Sequence, residues 1–255
     1  MLKQIVRDGV MKNSVLNMAA KWMVMALVVL IFGASFEEGT LEEMFYYIPD
    51  IIYLGEQHMV LALSSGLVAI LVGIPLGVIL SRPKVVHLAE YVMQFLNVGA
   101  TIPTLALLAM SMTFLGIGFL PAAFGLFVIT LLPIVRNTYT GLRSVPDALN
   151  EAARGMGMTP MQQLIRVELP NSLSVIFAGI RTAFSLNIGT VPIAFLIGGG
   201  GLGELVFMGI RLDDTSMMLA GAGATALLAV IVDISLGVLS QLCIPKGINL
   251  AADKA

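Results

Sequence analysis

Six long apolar runs dominate this 255-residue sequence, and they limit what the chain can fold into. A helix needs roughly 20 apolar residues to cross the hydrocarbon core of a bilayer, and each run is close to that length. The runs lack the period-two alternation of barrel strands, so membrane-spanning helices are predicted. The predicted spans are Leu16–Phe36, Met59–Leu80, Tyr91–Phe114, Phe119–Val135, Leu173–Ile197 and Met217–Leu242.

The composition also favours an all-α polytopic membrane helix bundle of about six transmembrane helices. The chain is 58% hydrophobic and 12% charged, with a mean hydropathy of +0.94, which leaves too little polar surface to cover a water-soluble protein of this size. The chain has 14 basic and 16 acidic residues, and the basic residues form no stripe with interleaved aromatics, so nucleic-acid binding is not expected. The single Cys243 and the distant His58 and His87 offer neither a disulfide framework nor a metal cluster, so no metal or cofactor is expected.

The distribution of charge predicts how the bundle is oriented. Eleven of the 14 basic residues lie before the first predicted span, after the second, after the fourth or after the sixth, and a twelfth, Lys21, lies near the start of the first span. Because basic residues concentrate in cytoplasmic loops, these segments and both termini are predicted to be cytoplasmic. The loops on the other side are acidic, and they contain Glu37, Glu38, Glu42, Glu43, Asp50, Glu56, Glu204, Asp213 and Asp214.

The start of the chain permits a second interpretation. A basic leader, the apolar run Trp22–Phe32 and the small residues Gly33–Ser35 are also typical of a cleavable signal peptide. Cleavage would leave five spans in the same orientation. In the first interpretation, residues 1–56 comprise the basic leader, the first span and an acidic external loop, and residues 243–255 form a cytoplasmic tail.

A polar segment, EAARGMGMTPMQQLIRVELP, interrupts the apolar runs at residues 151–170. Ser144 is predicted to cap a helix that runs to about Met156, and Gly157 suits the end of that helix. Thr159–Gln162 has the pattern of a capping box that opens a second short helix, which Pro170 is expected to close. The sequence therefore predicts a helix, a glycine turn and another helix on the cytoplasmic side.

This segment resembles the EAA loop of ATP-binding cassette (ABC) importer permeases. The residues that carry the resemblance are Glu151, Ala152, Ala153, Gly157, Leu169 and Pro170. The resemblance extends over about Met59–Leu242, and it implies a type I ABC importer (MetI-like) transmembrane domain at 57–242 with an EAA loop at 136–170. It also implies a multi-pass protein of the bacterial cytoplasmic (inner) membrane.

The resemblance implies several partners as well. The EAA loop would dock in a cleft of cytoplasmic ABC ATPase subunits, a second permease copy or a homologous permease would complete the path, and a periplasmic or lipid-anchored solute-binding protein would deliver the solute. The chain itself has no G-x-x-x-x-G-K-[ST] phosphate loop, so ATP hydrolysis is expected on a separate ATPase subunit. No nucleophile, base and orienting group can be placed together from the sequence, so a transport subunit rather than an enzyme is expected.

The segment 167–210 is most similar to permeases for osmoprotectants such as glycine betaine, carnitine, choline or proline betaine. Val191–Ile193 departs from that pattern, which leaves methionine or another small solute as an alternative. An ion-coupled secondary transporter with a proton relay through Asp233 and Arg181, or a channel, is a further alternative. Neither accounts for the EAA loop. The predicted spans contain no visible aromatic cage, so the external binding protein is expected to select the solute.

Polar residues within the fifth and sixth predicted spans are candidates for the translocation path. Arg181 and Asp233 lie at similar depths and could pair, either to lock two helices together or to line the path. Asn187, Thr190 and Pro192 lie further along the fifth span, where a proline loosens the helix and could mark a gate. Asn187 could instead form an interhelical hydrogen bond.

A glycine-rich segment, GGGGLG, follows the fifth span. It formally satisfies G-x-G-x-x-G, but that pattern binds dinucleotides only between a strand and a helix of a soluble domain. A flexible outer corner is predicted instead, and the resemblance places it near the docking surface of the solute-binding protein. The glycines of this candidate gate are Gly198, Gly199, Gly200, Gly201 and Gly203.

Overall fold

The computed structural model describes residues 39–244, which are helical with no strand among them. The chain divides into two compact units, residues 1–46 and 47–255. In the first unit, helix α1 (Thr40–Met44) begins after Gly39, whose φ of 99° lies in the left-handed region. The predicted first span, Leu16–Phe36, and the alternative signal peptide lie outside the described residues.

The second unit contains the other predicted spans. Its helices are α2 (Ile48–Leu80), α3 (Val86–Thr101), α4 (Thr104–Leu115), α5 (Phe119–Arg143), α6 (Asp147–Gly155), α7 (Pro160–Gln163), α8 (Leu169–Ala194), α9 (Gly203–Leu212) and α10 (Thr215–Cys243). Four described stretches are long and apolar enough to cross a membrane, namely Glu42–Leu80, Phe119–Arg143, Pro160–Ile197 and Thr215–Cys243. Each contains one of the predicted spans, namely the second, fourth, fifth and sixth, and extends beyond it at one end or both.

The predicted third span, Tyr91–Phe114, is not a straight helix. Helices α3 and α4 bend by 99° at Ile102 and Pro103, so the two together form a broken span or a re-entrant loop. Proline lacks the N–H that would continue the helix and disfavours helical dihedrals in the residue before it. Accordingly, Ile102 is extended, with φ −67° and ψ 127°.

The core lies where α2, α5 and α8 pack together. Leu61, Leu126 and Ile188 come from these three helices, and all are fully buried. Gly77 lets α2 approach α5 closely, since a Cβ at this position would lie 2.6 Å from the Thr138 Cβ atom. Large apolar side chains remain exposed on the outer faces of α2 and α10, as expected where lipid rather than water surrounds the helices.

Candidate functional site

The predicted helix, glycine turn and helix are present in the structure. We call residues 147–168 the helical projection. Helix α6 ends at Gly155, and Gly157 follows its C-cap residue, Met156. Gly157 has a φ of 75°, and its N–H donates to the Arg154 carbonyl (2.9 Å), as is typical of a glycine that terminates a helix. The predicted capping box at Thr159 is confirmed, because Gln162 N donates to Thr159 Oγ1 (3.3 Å) and Thr159 N donates to Gln162 Oε1 (2.9 Å).

The two alanines of the projection differ in their surroundings. Ala153 is fully buried against its own chain, whereas Ala152 is exposed beside Glu151. Gly157 is also exposed, and a Cβ at this position would meet no atom within 4 Å. Glu151, Ala152 and Gly157 therefore offer an accessible surface, and Ala153 holds α6 in place.

The start of the first projection helix was predicted wrongly. Ser144 does not cap α6, because it remains the helical C-cap residue of α5 and its hydroxyl donates to the Gly141 carbonyl (2.8 Å). Pro146 occupies the N-cap position without a side-chain cap, and Asp147 is the first helical residue. A serine that ends one helix is therefore not available to cap the next.

The predicted closure of the second helix at Pro170 is also wrong. The helix continues from Pro160 to Ile197, and a π-helical turn at Leu164–Glu168 precedes the proline. Pro170 lacks an N–H for the carbonyl four residues earlier, and the wider turn, in which Leu169 N–H reaches the Leu164 carbonyl, accommodates it. The projection is thus directly continuous with the spanning helix α8, of which Leu169 and Pro170 form the first turn.

A nearly buried carboxylate joins the projection to Arg82, two residues after the end of α2. The Arg82 Nη2 atom donates to Glu168 Oε2 at 2.6 Å, and the Glu168 side chain is only 10% exposed. Gln163 Nε2 donates to Glu168 Oε1 (3.3 Å) and to Asn150 Oδ1 (3.0 Å). We call these four residues the Glu168 cluster. Sequence reasoning missed it, since no local pattern pairs residues 86 positions apart.

Arg181 and Asp233, which the sequence suggested could pair, form an ion pair in the structure. Arg181 Nε donates to Asp233 Oδ1 at 2.9 Å, and Nη2 donates to Oδ2 at 2.6 Å. Their side chains are 42% and 39% exposed, so the pair is open on the surface of this chain. It borders a cavity of about 420 Å³, whose other lining residues are Ala178, Thr182, Ser185 and Leu186.

Helix α8 carries an exposed face of small residues beside this pair. These residues recur every three or four positions, and they are Ser174, Ala178, Thr182, Ser185 and Gly189. The large apolar side chain that α8 exposes here is Leu186 (48%), whereas α10 exposes several, such as Leu227, Ile231 and Ile234. The α8 face is therefore less suited to lipid than its neighbour.

The other path candidates lie in or beside the core. Asn187 is fully buried, and its Nδ2 atom donates to the Ala62 carbonyl (3.1 Å) and to Ser65 Oγ (2.9 Å). Of the two roles predicted for Asn187, the structure therefore shows the interhelical hydrogen bond. Thr190 is partly buried and donates to the Leu186 carbonyl of its own helix (2.6 Å). Pro192 lies inside α8, three residues before the 3₁₀ turn Phe195–Ile197 that follows this helix.

The glycine corner, Gly198–Gly203, lies at the other end of α8 from the projection. Gly198, Gly200 and Gly201 have φ values of 78°, 76° and 88°, which side chains rarely adopt. The corner is held by hydrogen bonds, because Gly201 N–H donates to Gln57 Oε1 (3.3 Å) and Gly118 N–H donates to the carbonyl at position 197 (2.9 Å). No strand precedes it in the described range, so the dinucleotide motif is absent there.

Gly203 should be among the least replaceable residues of this corner. A Cβ at this position would overlap the backbone carbonyl of Pro192, which cannot rotate away. We expect Gly203→Ala to lower the free energy of unfolding by at least about 2 kcal/mol, measured by thermal unfolding in detergent. Gly99→Ala is the matched control, since a Cβ there meets no atom within 4 Å. Equal melting temperatures would contradict the prediction.

A hydrogen-bonded carboxylate caps α10 at the same end of the bundle. Asp214 Oδ1 accepts from Met217 N–H (2.8 Å), and Oδ2 accepts from the Tyr47 hydroxyl (2.6 Å). The Tyr47 hydroxyl, followed by the backbone N–H of Met217, lowers the pKa of Asp214 below its usual value. The stabilisation from this cap is therefore present at neutral pH, and it is lost only as the pH falls through that lowered value.

The fold and the site define a class of protein: a multi-span helical membrane subunit with an exposed helix–glycine–helix projection. Residues 73–243 match the family described as binding-protein-dependent transport system inner membrane component, and the chain belongs to this family.

Similar proteins include several named permeases. The osmoprotectant import permease protein OsmY of Salmonella typhimurium is 52% identical over 208 residues, which cover 81% of this chain and 88% of that protein. The carnitine transport permease protein OpuCB of Listeria monocytogenes is 43% identical, with coverages of 77% and 89%. The glycine betaine/carnitine/choline transport system permease protein OpuCB of Bacillus subtilis is 40% identical, with coverages of 78% and 91%.

Among solved structures, a chain of the methionine ABC transporter MetNI in an inward-facing conformation has the same fold. It is 23% identical, with a TM-score of 0.69, and the match covers 78% of this chain and 98% of that chain. The predicted MetI-like fold is therefore confirmed.

Proposed function

We propose that this chain is the permease subunit of an ATP-driven importer for a small osmoprotectant, such as glycine betaine, carnitine, choline or proline betaine. The observation that carries the proposal is the 52% identity with an osmoprotectant import permease over most of both chains. Separate cytoplasmic ATPase subunits supply the energy, and a solute-binding protein delivers the solute. Residues 57–242 form the transport domain in the bacterial inner membrane, and both termini are cytoplasmic.

In this proposal the helical projection couples ATP hydrolysis to movement of α8. Glu151, Ala152 and Gly157 contact the ATPase, which their exposure permits. Ala153 positions α6 from behind, and Leu169 and Pro170 transmit the displacement because the helix continues through them from Pro160 to Ile197. A continuous helix transfers a displacement at one end to the other end, whereas a flexible connection would absorb it.

The face of small residues on α8 lines the path together with a second permease copy. Small polar residues leave room for a solute and do not require lipid contact. The Arg181–Asp233 pair borders this surface. At the far end of α8, the glycine corner lies where the solute-binding protein docks and where the path opens. Asn187 and Pro192 support this surface from the core side.

Uptake by intact cells tests the proposed function. A strain that lacks this gene should lose uptake of labelled glycine betaine, carnitine or choline, and the gene on a plasmid should restore it. Uptake of labelled methionine, the alternative solute, is measured in the same strains and should not depend on the gene. Uptake should persist with a protonophore and disappear without the ATPase subunit. Uptake that requires the proton gradient but no ATPase would contradict the proposal.

The Arg181–Asp233 pair gives a charge-reversal prediction. Asp233→Asn should lower the amount of assembled permease and its uptake severalfold, because it leaves an arginine unpaired at membrane depth. The double exchange Arg181→Asp/Asp233→Arg should recover part of both. Immunoblotting of purified membranes and uptake of labelled solute measure the two quantities. No recovery in the exchange variant would contradict a role for the pair.

A further inference from the structure

An open cavity lies beside the glycine corner, at the end of the bundle that the proposed topology places outside the cell. Helix α2 has 33 residues and is about 50 Å long, while the hydrocarbon core is about 30 Å thick. Because its last turn lies beside Arg82 at the inner end, its first turns extend beyond the core on the outer side. The cavity therefore opens at the external mouth of the bundle.

The cavity has a volume of about 440 Å³, and its lining residues are Tyr53, Glu56, Gln57, Val60, Phe119 and Gly199. Tyr53 and Glu56 are three residues apart on α2, so they lie on one face of the helix. Phe119 is the first residue of α5 and brings a second ring to the cavity from a distant part of the sequence. The residues Tyr53 and Phe119 are 64% and 45% exposed, so both are accessible from outside the protein.

These groups suit a quaternary ammonium ion. Such an ion spreads its positive charge over methyl groups and has no hydrogen to donate, so it is held by aromatic faces and by a nearby carboxylate. Tyr53 and Phe119 provide the rings, and Glu56 provides the negative charge. A volume of about 440 Å³ accommodates a trimethylammonium group with its short substituent.

The walls of the cavity are tied to one another. Gln57 lines the cavity and accepts the N–H of Gly201, and Gly199 of the same corner also lines it. Gly118, directly before Phe119, donates its N–H to the carbonyl at position 197. The segments of α2 and α5 that carry the two rings are thus tied to the glycine corner by hydrogen bonds.

We propose that this cavity is a binding site for the quaternary ammonium group of the solute as it enters the permease. The inference rests on the proposed function for the identity of the solute and deepens it by placing a recognition site on the permease itself. Because Glu56 is an anion, the site favours a simple cation such as choline over a zwitterion such as glycine betaine, whose own carboxylate it repels.

Equilibrium binding of labelled choline to the purified complex of permease and ATPase, without the binding protein, tests the site. Tyr53→Ala and Phe119→Ala should each weaken choline binding by about tenfold, and Tyr53→Phe should retain it. Glu56→Gln should weaken binding of choline but not of glycine betaine. The neutral isostere 3,3-dimethylbutan-1-ol, with carbon in place of nitrogen, should bind about tenfold more weakly than choline.

Phe114→Ala is the matched control, because this ring is 83% exposed and does not line the cavity. Equal choline binding by wild type, Tyr53→Ala and Phe119→Ala, equal binding of the isostere, or no choline binding by the wild-type complex would overturn the site. If cells still import choline in that case, the proposed function stands. If choline binds as expected but cells import no quaternary ammonium solute, the proposed function fails and the cation site stands.

Discussion

A Gly157→Asp permease should insert into the membrane normally, but its ATP-driven uptake should fall about thirtyfold or more. A thirtyfold loss corresponds to about 2 kcal/mol, which is the usual cost of removing a contact at the centre of an interface. Gly157 has a φ of 75°, a conformation that aspartate tolerates better than most side chains, so the turn itself should survive. The new carboxylate would extend into open space, where the proposed ATPase contact lies. Glu151→Lys should act similarly by reversing the exposed charge on α6.

Gly39→Asp is the matched control for this prediction. Gly39 also has a left-handed backbone, with φ 99° and ψ −19°, and a Cβ there also meets no atom within 4 Å, but it lies in the loop that the proposed topology places outside the cell. It should leave uptake nearly unchanged. Copurification of the ATPase with the permease and uptake of labelled solute are the two measurements. If Gly157→Asp leaves both unchanged, the projection is not the coupling site.

Loss of the Arg82 counter-ion should have the second large effect. Arg82→Met leaves the nearly buried Glu168 carboxylate with only the weaker Gln163 contact, and we expect the free energy of unfolding to fall by about 3 kcal/mol. Because Glu168 joins the projection to Arg82, just after the end of α2, the ratio of solute imported to ATP hydrolysed should also fall. The double variant Arg82→Met/Glu168→Met should recover stability, since no unpaired charge remains, but not the transport ratio.

Thermal unfolding in detergent and the transport ratio in proteoliposomes measure these effects. Arg143→Met is the control, because Arg143 is an exposed arginine at the end of α5, close to the same side of the bundle. Additive effects of the two single variants on stability would mean that Arg82 and Glu168 are not coupled. A normal transport ratio in a stable Glu168→Met variant would mean that the Glu168 cluster does not take part in coupling ATP hydrolysis to transport.

The local predictions succeeded where neighbouring residues alone decide the outcome. The capping box at Thr159 and the glycine turn at Gly157 both depend on side-chain and backbone rules within a few residues, and both are present. The prediction for Ser144 failed because the preceding helix had already used that residue. The prediction for Pro170 failed because a π-helical turn absorbed the missing N–H, which let the helix continue.

The amino-acid sequence by itself determined the class of fold, since apolar runs of this length are stable only as membrane-spanning helices, and it determined the position of the helical projection. Only the tertiary structure decided which distant residues meet. The contacts between Arg82 and Glu168, and the shared cavity of Tyr53 and Phe119, depend on how each helix is rotated and displaced against its neighbours. That arrangement follows from packing of the whole core, such as the close approach at Gly77, and no local pattern records it.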